Sequence, residues 1–68
     1  MPIINVQLLA GRSAQQKDTF MKEVAAIAMR TLQVPEHVVT IVLTEVEREH
    51  WSVGMKSMTE IQAARLRE

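Results

Sequence analysis

The chain begins Met1-Pro2, and proline in second position admits two readings. One is structural: proline suits the first residue of a strand, where a missing backbone N–H costs little. The other is chemical. Methionine ahead of a small residue is usually removed in cells, which would leave Pro2 as a free secondary amine able to act as a base. An α-amine ordinarily titrates at about 7.7–8.0, and apolar or cationic surroundings lower that value by disfavouring the protonated form. A base tuned in this way accepts and returns a proton near neutral pH. The second residue of interest is Arg12, in Gly11-Arg12-Ser13 immediately ahead of a helix start. A helix N-terminus carries partial positive charge, so a cation there invites an anion. Other chemistry has little support. His37 and His50 are the only histidines and have no metal-ligand spacing, and there is no cysteine. Glu45 and Glu47 alternate at a strand end without a partner group, and Met21, Met29, Met55 and Met58 read as packing residues.

The elements that must position Pro2 and Arg12 are legible from periodicity. Ile3 to Leu9 puts Ile4, Val6 and Leu8 on one face and Ile3, Asn5, Gln7 and Leu9 on the other, the two-residue period of a strand. Gly11 supplies the freedom of a tight turn. Ser13-Ala14-Gln15-Gln16 then has the spacing of a capping box and opens a helix. Phe20, Val24, Ile27, Ala28, Thr31 and Leu32 recur at helical spacing as its buried face, with Lys17, Lys22, Glu23 and Arg30 largely elsewhere. Pro35 biases Val34 away from helical angles, so the helix should finish near Leu32 or Gln33. Val38 to Val46 is rich in β-branched residues and suits a covered strand, parallel to the first across the helical crossover. Glu47 to His50 is a charged link, read as solvated surface, with reach of Arg48 and His50 into a neighbouring pocket as the alternative. Trp51 to Gly54 suits a short extended piece or hairpin, and Ser57 and Glu60 repeat the capping-box spacing ahead of a short C-terminal helix.

The chain of 68 residues is read as a single domain, 1–68, of α/β class. A chain this short buries only about 60% of its unfolded surface. Small domains compensate with disulfides, metals or partner subunits, and only the last remains open here. With 47% apolar residues, part of that surface is expected to meet other subunits. Eight basic and eight acidic residues are scattered to zero net charge, which argues against a nucleic-acid footprint or a polybasic membrane patch. Neither a membrane span nor a signal peptide is evident, and the chain reads as cytoplasmic.

Taken in order, Pro2 after the start methionine, the Gly11-Arg12-Ser13 turn, the Pro35 break, the β-rich second strand and His50-Trp51-Ser52-Val53-Gly54 resemble the 4-oxalocrotonate tautomerase family. The resemblance spans nearly the whole chain. It implies a single β-α-β unit with parallel strands and a short C-terminal hairpin or helix. Such protomers pair into a four-stranded sheet, and three pairs form a hexamer. It also implies a cofactor-independent tautomerase or isomerase of a small 2-oxo (enol) acid, with Pro2 as general base. Arg12 matches the family arginine that holds a substrate carboxylate, a task suited to the planar guanidinium fork. Trp51 matches an aromatic position that lines the pocket, and Ile3, Leu9, Trp51 and Val53 are the candidates for apolar surroundings of Pro2. Thr40 departs from the family pattern, which has a second arginine there for the carboxylate and carbonyl end of dicarboxylates. A neutral hydroxyl forgoes a few kcal/mol of transition-state stabilisation. A monocarboxylate such as an arylenolpyruvate is therefore the expected substrate. The alternatives are a hydratase- or dehalogenase-like relative, and a catalytically silent assembly subunit, homo-oligomeric or paired with an arginine-bearing chain.

Overall fold

A computed structural model describes residues 1–66 of the chain, and side chains as far as residue 64. Strand β1 spans Ile3–Leu9, helix α1 Ala14–Leu32 and strand β2 Thr40–Val46. The two strands pair in parallel from Ile3 opposite Thr40 to Leu9 opposite Val46. Ser52–Val53 (β3) and Lys56–Ser57 (β4) form a small antiparallel hairpin, and Met58–Leu66 is helix α2. The β-α-β unit with a C-terminal hairpin and helix is thus the observed architecture.

Local chemistry explains these boundaries. The Gln16 N–H donates to Ser13 Oγ at 3.1 Å, and the Ser13 N–H donates to Gln16 Oε1 at 3.0 Å, so both halves of the capping box are present. The helix ends at Gln33, which adopts left-handed angles (φ 55°, ψ 52°) just ahead of Val34-Pro35. Ser57 and Glu60 make the second box, at 3.3 Å in each direction, and start α2. The hairpin turns through Gly54 at φ +63°, the conformation that favours glycine at the first central position of a two-residue loop.

Two expectations need correction. Strand β2 begins at Thr40 rather than Val38, because Glu36–Val38 winds into one 3₁₀ turn, with the Val38 N–H donating to the Pro35 carbonyl at 3.3 Å and the Val39 N–H to Glu36 at 3.2 Å. That local closure outcompetes the β preference of Val38 and takes the N–H of Val39, which is itself extended. The expected buried stripe of α1 is also only partly buried. Ala28 is 6% exposed and Val24 half-buried, but Phe20, Ile27 and Leu32 stay exposed, Ile27 at 51%. Lys17, assigned to the wet side, is instead half-buried and pairs with Glu45 across the helix–strand contact.

α1 covers the sheet face carrying Ile4, Val6, Leu8, Ile41 and Leu43, all half-buried. On the opposite face Ile3 and Val42 are 60% and 47% exposed. The radius of gyration is 15.7 Å, where a compact chain of this length has about 11 Å. The accessible surface is 5532 Å², against roughly 4300 Å² for a compact monomer of 7.7 kDa. One chain therefore encloses almost no core of its own.

Candidate active site

Pro2 stands at the head of β1, where its carbonyl accepts the Thr40 N–H at 3.1 Å. This bond fixes Pro2 beside the start of β2 and leaves its nitrogen, bonded to Met1 in the full chain, outside the ladder. Lacking an N–H, Pro2 strands no donor at the sheet end. Thr40 is opposite Ile3 and so shares the helix-free face at the Pro2 end. It is exposed and offers only a neutral hydroxyl.

Leu9 and Arg12 lie at the other end of β1, about 20 Å away at ~3.3 Å per residue. The turn between β1 and α1 bends through Gly11 at φ +128°, a conformation that L side chains rarely adopt. Arg12 Nη1 donates to the Leu9 carbonyl at 3.3 Å, and its remaining N–H groups have no partner among the described residues. Its side chain borders a cleft of about 330 Å³ with Leu8, Gln16, Lys17, Phe20 and Leu43. Lys17 is neutralised there by Glu45. Arg12 forms no ion pair with a carboxylate among the described residues.

Trp51 is half-buried and borders a separate recess with Gln7, Val46, His50 and Ser52, on the helix-free side at the C-terminal end of the strands. The chain folds back to it: the Met58 N–H donates to the Trp51 carbonyl at 2.7 Å, and the Trp51 N–H to Arg48 at 3.3 Å. Val53, on the hairpin, is exposed and borders neither recess.

Within one chain, then, the structure brings Pro2 to Ile3 and Thr40, and puts Leu9, Arg12 and Trp51 at the opposite sheet end, Arg12 bordering the helix-side cleft and Trp51 the recess on the helix-free side. It does not bring the two groups together. Arg48, read from sequence as solvated surface with reach into a pocket as the alternative, is exposed, and its guanidinium lies over the Gly11 turn, with Nη2 3.6 Å from where a Cβ on Gly11 would stand. Its Nε is held by Gln62 Oε1 of α2. The one sequence signal for this was an arginine between two glutamates, Glu47 and Glu49, ahead of a segment that returns to the strand end. Remote from this region, Lys22 and Asp18 pair at 2.8 Å on exposed α1, holding the Lys22 amine above its ordinary value chiefly through the hydrogen bond.

Comparison with known proteins agrees with this arrangement of elements. The family model described as tautomerase enzyme matches residues 2–61. The chain is 37% identical over 57 residues to a 2-hydroxymuconate tautomerase of Stutzerimonas stutzeri, an alignment covering 84% of this chain and 90% of that protein. Among solved structures, a 4-oxalocrotonate tautomerase isozyme of Methylibium petroleiphilum superposes with a TM-score of 0.88 at 36% identity, covering 93% of this chain and 98% of that one. A chain of the heterohexameric 4-oxalocrotonate tautomerase of Chloroflexus aurantiacus superposes with a TM-score of 0.84 at 34% identity, covering 90% and 98%. With the family model matching from Pro2 through the hairpin and the same fold recurring at this identity, the chain belongs to the 4-oxalocrotonate tautomerase family of the tautomerase superfamily.

Proposed function

We propose that the chain, once Met1 is removed, is a cofactor-independent tautomerase of a small 2-oxo (enol) acid with the Pro2 amine as general base. The lone pair of the Pro2 nitrogen takes the enol hydroxyl proton, the oxygen's electron pair becomes the carbonyl, and the carbon end of the double bond takes a proton back from the prolinium. Atoms and charge balance without an oxidant or a metal. The observation that carries this reading is the position of Pro2. Its carbonyl is anchored by Thr40, while its nitrogen lies beyond the last sheet hydrogen bond, free of any structural duty.

The carboxylate anchor is Arg12, and Trp51 and Leu9 supply apolar wall. Because these stand at the far sheet end, each pocket combines Pro2 of one copy with Arg12 of another, and Val53 on the exposed hairpin reaches a neighbouring copy. The apolar residues left open on both faces, Ile3 and Val42 on the sheet and Phe20, Ile27 and Leu32 on the helix, support assembly into a homohexamer, a trimer of dimers. The carbonyl end of the substrate meets Thr40 rather than a cation, which favours a monocarboxylate such as an arylenolpyruvate. The test is ketonisation of phenylenolpyruvate by methionine-free protein. Pro2→Ala should slow it by a factor of about 10²–10⁴, the usual share of a general base, and equal rates reject the proposal.

Thr40 also favours a second reading, a subunit that works beside an arginine-bearing chain, and the Chloroflexus aurantiacus relative is a heterohexamer. Purified alone, such a subunit would assemble yet leave the enol acid unchanged until the second chain is added.

A further inference from the structure

We propose that Arg48 is a second carboxylate anchor, sharing with Arg12 the anionic end of the substrate; this rests on the tautomerase reading above. Arg48 follows β2 directly, and its guanidinium lies over Gly11, the neighbour of Arg12, with Nη2 and Nη1 at 3.6 and 4.0 Å from the Gly11 Cβ position. Arg12 Nη1 is tied to Leu9 on the same turn. Two guanidinium groups thus converge on one turn at the sheet end that lacks the base.

Among the described residues, neither charge has a carboxylate partner. Arg48 lies between Glu47 and Glu49 in sequence, yet the ion pairs among the described residues are Lys17–Glu45 and Lys22–Asp18. Instead of a neighbouring glutamate, Arg48 takes the neutral amide of Gln62 through Nε. This contact holds the guanidinium through Nε, while Nη1 and Nη2 lie over the Gly11 turn. An uncharged tether of that kind orients a guanidinium without consuming its charge, which is the requirement for an anion site. Gln62 of α2 is then the positioning residue. A carboxylate held by Arg12 and Arg48 leaves the reacting end of the molecule at Pro2 and Thr40 of another copy, in keeping with a substrate charged at one end.

The experiment measures binding of 3-phenylpropionate, a carboxylate that cannot tautomerise, to the assembled methionine-free protein by NMR chemical-shift titration. Arg48→Ala should weaken it about tenfold, the loss of one hydrogen bond to a charged partner, Arg48→Lys should restore part of the affinity, and Gln62→Leu should weaken it less than Arg48→Ala. Unchanged affinity in Arg48→Ala overturns the inference, as does failure of the parent to bind. Kinetics separate this from the broader reading. If Pro2→Ala slows phenylenolpyruvate ketonisation but Arg48→Ala leaves KM as in the parent, Arg48 is no anchor and the tautomerase survives. If Pro2→Ala changes nothing while Arg48→Ala still weakens phenylpropionate binding, the anion site stands and the tautomerase reading falls. A purely structural role predicts equal losses for the enol of phenylacetaldehyde, which has no carboxylate; an anchor predicts that only the acid suffers.

Discussion

Mixing two crippled variants tests whether the pocket is shared between copies. Pro2 and Arg12 are separated along β1 by about 20 Å, whereas reacting atoms must approach to about 3–3.5 Å. A small enol acid is too short to touch both residues of one chain. Pro2→Ala removes the base and Arg12→Ala removes the anchor, so each homo-oligomer should be nearly inert at substrate concentrations below KM. If the chains are denatured together at equal amounts and refolded, a given pocket keeps an intact Pro2 in half the cases. It independently receives an intact Arg12 from another copy in half. The mixture should therefore recover about one quarter of the parent rate, as expected for random assembly in a symmetric oligomer. The assay is continuous absorbance of phenylenolpyruvate at fixed total chain concentration. A rate equal to the average of the two separately refolded variants would refute a shared pocket.

Two further outcomes follow from the faces that the single chain leaves open. Val42→Asp sets a carboxylate on the helix-free face opposite Asn5; if another copy covers it, the cost is several kcal/mol per buried charge, and sedimentation velocity should show hexamer giving way to smaller species. On a solvated face the change would stay within about 0.5 kcal/mol, with no loss of mass. Thr40→Arg supplies the missing cation at the Pro2 end and should raise kcat/KM for 2-hydroxymuconate about tenfold or more, in line with a donor aimed at developing charge. No gain would show that Thr40 does not border the reacting carbonyl.

The parts of the fold written in local chemistry were legible in the sequence. Both capping boxes, the alternation of β1 and the break at Pro35 each act within a few residues, and the structure has them where spacing puts them. What depends on neighbours was harder to read. The valines at 38 and 39 carry strand propensity, but Val38 winds into a turn on Pro35 and the extended Val39 spends its N–H on Glu36 instead of the sheet. Phe20, Ile27 and Leu32 look like core because they are apolar and periodic, yet one strand pair is too narrow to cover them. The separation of Pro2 from Arg12 was implicit in the strand itself, since extended chain carries its ends apart. The turn of Arg48 toward Gly11 was not, because it depends on α2 folding back through the hairpin to present Gln62.

The central claim is that the Pro2 amine, freed of Met1, is mostly unprotonated at neutral pH within reach of an anchored anion. Nitrogen-15 NMR of proline-labelled, methionine-free protein, titrated from pH 5 to 10, reads this directly. The expected result is a single Pro2 transition below the ordinary α-amine range of about 7.7–8.0, coinciding with the acid limb of the kcat/KM profile. A Pro2 nitrogen that keeps its proton well above that range, or that titrates without any matching change in rate, would contradict it.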